Sequence, residues 1–355
     1  MAKKILIVGA GPTGLTAALE LVRQGIIPTI VDKRDSASTF SRAVGITPRS
    51  LAILSRSGVA EKLIGEGVPI ESAYIYRGTD SVIELEPYSD RAFFSHLLGL
   101  PQDRTETLMA ETLAELGCQV RYQYAVENVR ESSDGATATF VDGSEDTFDL
   151  VIGADGIGST VRQTVGIEYP GYDLDETWSI ADVDADNWRH AKSFTLIRTD
   201  DGPMAVVVPL EEARYRVISN TANALETLPL PLNVTNVRRE GTFTISVRQA
   251  ETYSKGRVHL AGDAAHCHSP VGGRGMNLGI ADAADLADRI VAGNLDSYSD
   301  SRHKIGAEII ATTERGRKMI SATSGVKRLA FNTVLTIVAS FAPLRRKIGR
   351  FIVEF

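Results

Sequence analysis

The chain is poor in cysteine, with only Cys118 and Cys267 among 355 residues. Two thiols cannot build a disulfide framework, and they fit a reducing, cytoplasmic setting. Excess positive charge is also missing. Lys and Arg number 38 against 45 Asp and Glu, a net charge of -7. No basic arm or stripe interleaved with aromatics occurs, which argues against nucleic acid as a partner. Long apolar runs are absent too. Behind Met1-Ala2-Lys3-Lys4 the apolar stretch is only Ile5 to Val8, too short for a secretory signal. Leu329 to Leu344 comes nearest to a transmembrane segment, but Asn332, Thr333, Thr336, Ser340 and Pro343 interrupt it. That piece reads as a packing helix, with peripheral membrane contact through Arg345, Arg346, Lys347 and Arg350 as the alternative. No repeats or low-complexity tracts occur. With 43% hydrophobic and 23% charged residues, the chain has the composition of a globular protein. Its length allows two domains, or one large domain with an insertion.

What the chain does have is glycine in particular places. From Gly256 to Gly293 an apolar run (Val258, His259, Leu260, Ala261) breaks at Gly262-Asp263. It passes Pro270-Val271-Gly272-Gly273 and Gly275, then settles into a helical pattern with Ile280, Ala283, Ala284, Ala287, Ile290 and Val291 on one face and Gly293 as its stop. A strand, a glycine-rich loop and a helix N-terminus in series present free N–H groups and a positive dipole end, a device for an anionic, oxygen-rich ligand. Asp263 at the strand end suits ligand hydroxyls. The plainer alternative, a tight turn with glycines serving only the turn, is weaker for so many glycines.

The N-terminus repeats the theme. Strand Lys4 to Val8 runs into Gly9-Ala10-Gly11-Pro12-Thr13-Gly14, a helix follows to Gly25, and a second strand, Ile26 to Val31, ends at Asp32. This strand–GxGxxG–helix–strand–acid unit is that of dinucleotide binding. Gly9 serves the tight turn, Gly11 the approach of a pyrophosphate and Gly14 the close helix packing, while Asp32 faces the adenosine ribose. The motif does not separate NAD from FAD. Arg42, in the loop after this unit, is equally a phosphate contact or a solvated side chain.

Further on, the spacing predicts a helix over Pro48 to Ser57, strands over Ser72 to Arg77 and Ala92 to Leu98, and a helix over Arg104 to Leu116. A strand at Gln119 to Tyr122 and a hairpin (Ala125 to Glu131, Thr137 to Val141) follow. Phe148 to Gly156 then forms another strand ending in an acid, Asp155, with Ser159 and Arg162 on a short helix. From Asp173 to Val247 the pattern is strand-rich, and a mixed or antiparallel sheet is expected there, completed by the strands near residues 72 and 92. Alternation does not reveal which face meets a ligand. Past residue 296 the chain reads as helical.

Three signatures stand in order: GAGPTG with Asp32, VIGADGIGSTVR at 151–162, and GRVHLAGDAAHCHSPVGGRGMNLGIADAADLADRI at 256–290. Together with SRAVGITPRSLAIL and LGLPQDRTE they resemble the FAD-dependent aromatic hydroxylases of the para-hydroxybenzoate hydroxylase type, over nearly the whole chain. The resemblance implies an α/β fold with an α+β insert: a Rossmann-like FAD-binding domain (1–70, 100–172, 250–325), an interleaved β-sheet substrate domain (71–99, 173–249) and a C-terminal helical segment (326–355). It implies that Gly9, Gly11, Pro12, Thr13 and Gly14 receive the FAD pyrophosphate. Asp32 would take the adenosine ribose, Arg42 and Gln102 would contact the phosphate and sugar region, Asp263 would hold the ribityl chain, and Lys33, Val126 and Gly262 would be further cofactor contacts. Pro270, Gly273, Gly275, Met276 and Asn277 would lie against the flavin ring, with Pro270 lining the reaction site. Asp155 is linked to both FAD and the nicotinamide donor. NADH or NADPH would reduce FAD, O2 would add at flavin C4a, and the hydroperoxide would hydroxylate a phenolic or other aromatic small molecule.

The His266-Cys267-His268 run lacks metal-ligand spacing, and no metal is expected. Tyr74, His96, Arg214 and Tyr215 lie on sheet strands and read as structural, with substrate contact as the alternative. The sequence ends soon after the flavin motifs, so no thioredoxin-like third domain is expected. The WxWxIP pattern of flavin halogenases is absent. Two other functions remain open on the residues alone: a flavin-dependent reductase of a polyprenyl-type lipid, and a flavin-binding protein without turnover. A monomer and a homodimer are equally open.

Overall fold

The computed structural model describes residues 3–37, 43–88, 93–199, 202–270, 273–320, 333 and 335–354. At its centre Ile5–Val8, buried along its whole length, lies between two other apolar strands. The six-stranded sheet runs in the order Ser254–Lys255, Val258–Leu260, Leu150–Gly153, Ile5–Val8, Thr29–Val31, Val120–Arg121. All neighbours pair in parallel except the Ser254–Lys255 edge. Strands covered on both faces read as continuous apolar runs, which is why Ile5–Val8 and Leu150–Gly153 carry almost no polar residue. Helix Pro12–Arg23 has proline in its first turn and ends before Gly25 at φ +83°. It packs on helix Gly275–Ala292, and Leu15, Leu19, Ile280, Ala283, Ala287 and Ile290 share one core with the strands.

The hairpin expected near residue 130 is a three-stranded meander, Val126–Glu131, Ala136–Phe140 and Glu145–Phe148. A seven-stranded sheet forms the second layer. Its order is Asn233–Phe243, Trp178–Asp186, Arg214–Ser219, Met204–Glu211, Ser193–Arg198, Ser72–Arg77, Asp80–Leu85. Only Ser193–Arg198 and Ser72–Arg77 pair in parallel, so the sheet is mixed, as expected. The strand expected at Ala92 to Leu98 is corrected to Leu97–Gly99: Phe93 to Ser95 carry no ladder, and His96 makes a single bridge to Tyr88, while Ala92 lies outside the described residues. It does not join the large sheet. It pairs instead with Gly45–Ile46 and Val68–Ile70.

Within the strand-rich stretch the sheet's edge is an eleven-residue strand, Asn233–Phe243, whose polar sequence does not mark it as one. Tyr298–Ile320 and Ala342–Glu354 are helical. Leu344, Ile348 and Ile352 pack with Val338 on Ala73, Ile83 and Leu85 of the large sheet. Part of the Leu329 to Leu344 stretch lies outside the described residues. Among the described residues no helix is long and apolar enough to cross a membrane.

Candidate active site

Register brings the chemistry together. Val8 lies opposite both Gly153 and Val31, and Gly153 lies opposite Leu260. The ladder continues one residue further: Gly9 N–H donates to Val31, Ala154 N–H to Val8 and Ala261 N–H to Gly153, at 2.8, 2.8 and 3.0 Å. Asp32, Gly9, Asp155 and Gly262-Asp263 therefore stand in one row at the carboxyl edge of the sheet, where α/β sheets bind ligands.

Each glycine in the row answers to a different neighbour. Gly9 has φ +102°, and a Cβ there would strike the Ala154 carbonyl and Asp155 Cα. A Cβ on Gly14 would strike the Gly9 carbonyl oxygen. On Gly11 it would meet nothing within 4 Å, so the space before Gly11 is open to a ligand approaching the backbone. Helix Pro12–Arg23 has no side-chain cap and no acid in its first turn, and the same holds for Gly275–Ala292. The first turns of these helices meet at Thr13, which fills the space a side chain would need at Gly262 and at Gly279. Two unneutralised positive helix ends thus serve one region.

The acids differ in their surroundings. Asp32 is 6% exposed. It accepts Ala10 N–H at 2.7 Å and a bidentate grip from Arg34 at 3.0 and 2.9 Å. Burial opposes its ionisation, but the Arg34 contacts and Ala10 N–H hold its pKa below the usual range. Arg34 also reaches buried Glu106 at 3.0 Å. The sequence reading passed over Arg34, although its place two residues after the acid was a signal. Lys33 between them is exposed, and Val126 is buried in the core. Asp155 accepts Val161 N–H at 3.1 Å through Oδ2, while its Oδ1 is buried without a partner, and burial raises its pKa. An orphaned carboxylate oxygen beside Gly9 fits a ligand hydroxyl. Asp263 is exposed on the turn Gly262–Ala264.

Arg162 ties the two acid-bearing loops together by donating to Ala264 O and Ile157 O, both at 2.8 Å. Its guanidinium lies 3.9 Å from the Tyr169 ring centre, and Tyr169 Oη donates to Asp263 O at 2.8 Å. Gln102 accepts Ala43 N–H at 3.3 Å, beside the loop that carries Arg42; Arg42 itself lies outside the described residues. The Asn277 side chain accepts Thr47 N–H at 2.9 Å and donates to Gly45 O and Gly273 O at 2.8 and 3.0 Å, which fastens segment 45–47 to the helix start. Pro270 and Gly273 are exposed on the loop before it, and Met276 is buried. His266 spends Nε2 on Asp282, a fully buried acid the sequence reading missed. Among the described residues no group of three His, Cys, Asp or Glu is placed to hold a metal.

The two faces of the large sheet differ in what covers them. Leu196, Met204, Val206, Val208 and, half-buried, Ile75, Phe194 and Ile218 pack toward Val44, Ile70 and Leu97. The opposite face, with Tyr76, Val183, Ile197, Val207 and Val217, is closed by Leu225, Leu228, Leu230 and Leu232. Tyr74 and Tyr215 belong to that closed face and are structural. Arg214 pairs with Glu211 at 2.6 Å, and His96 stacks edge-on to Tyr88 with ring centres 5.4 Å apart.

Comparison with known proteins gives the same picture. The model of the FAD binding domain family matches residues 2–229 and 221–313. Rifampicin monooxygenase of Streptomyces venezuelae is 31% identical over 92% of this chain and 74% of its own length. The 6-methylpretetramide 4-monooxygenase of Streptomyces rimosus is 29% identical over 97% of this chain and 67% of its own. Among solved structures, p-nitrophenol 4-monooxygenase of Pseudomonas putida superposes with a TM-score of 0.89 at 24% identity, covering 98% of this chain and 96% of its own. With its motifs in register at one sheet edge, the chain belongs to the FAD-binding family of flavoprotein aromatic hydroxylases.

Proposed function

We propose that this protein is an FAD- and NAD(P)H-dependent monooxygenase that hydroxylates a phenolic or other aromatic small molecule. The observation that carries the reading is the row of strand ends: Asp32, Gly9, Asp155 and Asp263 in register, with an open approach at Gly11 and an orphaned oxygen on Asp155. FAD, when bound, supplies the electron transfer from NAD(P)H and the activation of O2.

The chain's residues do the rest. Gly9, Gly11, Pro12, Thr13 and Gly14 take the pyrophosphate at the uncapped helix end. Asp32, held by Arg34, takes the adenosine ribose with Lys33 alongside. Gln102, Val126 and Arg42 border the phosphate and sugar, and Asp155, Gly262 and Asp263 accept the polyol hydroxyls. Pro270, Gly273, Gly275, Met276 and Asn277 back the flavin ring, where a helix N-terminus favours negative charge on the ring. On the face of the large sheet that packs on Val44, Ile70 and Leu97, the half-buried Ile218 would supply apolar surface to orient a flat substrate and keep water from the ring. In this reading segments 1–70, 100–172 and 250–325 bind the cofactor, 71–99 and 173–249 the substrate, and 326–355 braces the sheet. Both cysteines are buried free thiols, which supports a cytoplasmic, reducing compartment.

The test measures NADH, NADPH and O2 consumption by FAD-loaded protein against simple phenols, p-nitrophenol, rifampicin and a tetracycline-type precursor, with peroxide assayed alongside. Acceleration by one compound, with hydroxylated product and little peroxide, is expected. No acceleration by any of them, with every electron recovered as peroxide, sinks the reading.

A further inference from the structure

We infer that Asp282 is a positioning residue for the turn that presents Asp263 to the cofactor, an inference that rests on the function proposed above. Asp282 sits on helix Gly275–Ala292 and is fully buried. Its Oδ2 accepts Gly262 N–H at 3.1 Å and a bond from His266 Nε2 at 2.5 Å. Its Oδ1 accepts Arg302 Nε at 2.6 Å, and a second Arg302 nitrogen also contacts it. Burial opposes the charged form, yet the neighbouring His266 and Arg302 hold the carboxyl below its usual range, so it stays a carboxylate.

Four contacts fix the Gly262–Ala264 turn, and each acts on a different atom. Thr13 crowds the Gly262 Cα side. Tyr169 holds Asp263 O, and Arg162 holds Ala264 O. Asp282 holds the first N–H of the turn, and among these four contacts it is the one that brings a negative charge. Gly262 has φ +63°, a conformation reached by glycine without strain, but one that glycine leaves as readily. A buried charge is costly unless paired and hydrogen-bonded, and an apolar residue would serve mere packing better. Here three chain segments converge to keep the charge: strand His266–Cys267, helix Tyr298–Ile320 through Arg302, and the turn itself. Tyr253 covers His266 with ring centres 5.7 Å apart, and Tyr298 Oη anchors Leu260 O at 2.8 Å, directly before the turn. The arrangement fixes where Asp263 stands relative to Asp155 across the row, which decides how the cofactor's polyol chain is gripped.

The experiment compares wild type with Asp282→Asn, which keeps the shape and removes the charge. FAD dissociation constant, near-UV and visible circular dichroism of the bound flavin, and the peroxide share of NAD(P)H oxidation are measured below the unfolding temperature. The expected result is an FAD affinity lower by about tenfold, the worth of one charge-assisted hydrogen bond, with altered flavin dichroism and a larger peroxide share. A lower melting temperature with affinity, dichroism and peroxide share all unchanged overturns the inference. Should Asp282→Asn fail to fold, Arg302→Lys takes its place. A drop of about threefold in FAD affinity is then expected, and no change overturns the inference. Wild type that binds no FAD, or never responds to an aromatic compound, would mark failure of the proposed function instead.

Discussion

Asp182 and Arg216 face each other across paired strands, with Arg216 Nε and Nη2 donating to the two carboxylate oxygens at 2.6 and 2.8 Å. Both are buried, at 2% and 0% exposure. The same guanidinium donates to Ala43 O at 3.2 Å, and Arg239 from the edge strand approaches Asp182 at 3.0 Å. One ion pair therefore pins the large sheet to the segment of the nucleotide-type layer that leads to Arg42. Removing one partner from such a pair leaves a buried charge uncompensated. Asp182→Ala is expected to cost about 3–5 kcal/mol of stability. Replacing both together, Asp182→Leu with Arg216→Met, should cost less than the single change. Urea unfolding of the three proteins decides it, and equal losses for the single and double variants would refute the account.

The glycine-rich turn allows stability and ligand binding to be separated. Gly14→Ala drives a Cβ into the Gly9 carbonyl, and Gly9→Ala meets both a positive φ and the Ala154 backbone. Each should destabilise the apoprotein by about 2 kcal/mol or more. Gly11→Ala meets open space, so apoprotein stability should stay within about 0.5 kcal/mol of wild type, while FAD affinity falls by about tenfold. Denaturation without FAD and flavin titration report the two quantities independently.

Much of this was legible in the sequence, and the reason is local. GAGPTG, GADG with Asp155 and GD with Asp263 are each contiguous, and Asp32 follows at the end of the next strand, so local spacing alone placed the strand ends that register aligns. Arg162 and Asp282 act through partners distant in sequence, Ala264 and Arg302, and so does the second contact of Arg34, to Glu106. No periodicity reveals such pairings. The edge strand Asn233–Phe243 was missed for another reason. It is largely exposed and carries Asn236, Arg238, Arg239 and Glu240, so the apolar alternation of a half-buried strand is lacking. Which face of the large sheet is closed was equally hidden, because both faces are apolar and the leucine-rich segment after residue 224 is what marks the closed one.

Arg162→Lys keeps the charge but cannot span Ala264 O and Ile157 O at once. We expect FAD affinity lower by about tenfold with a folded, monodisperse protein. Flavin titration alongside circular dichroism checks this, and unchanged affinity would show that the two loops need no common tie.

His259 offers a pH test. It is 3% exposed, with Nδ1 2.8 Å from Ser254 Oγ, and burial pushes its pKa down to about 4. The unfolded chain takes up this proton as pH falls below about 6.5, whereas the folded chain does not until about pH 4. Stability that is complete above about pH 6.5 should therefore decline toward pH 4, by up to about 3 kcal/mol from this residue. His259→Asn should flatten the urea midpoint between those pH values. Identical slopes for both proteins would exclude this residue as the source.

The single parallel pairing in the large sheet has a consequence for the chain's birth. Hairpin Ser72–Leu85 finds its neighbour, Ser193–Arg198, only after more than a hundred further residues have been made. During synthesis from the N-terminus that hairpin emerges with Ala73, Ile75 and Ile83 uncovered, and of the described strands between, Trp178–Asp186 alone belongs to its sheet, where it is not its neighbour. The nucleotide-type layer cannot close early either, because its Val258–Leu260 strand comes later still. Both layers must mature together only after Leu260 has been made, through contacts of high sequence separation, which are slow to form and leave sticky edges on offer meanwhile.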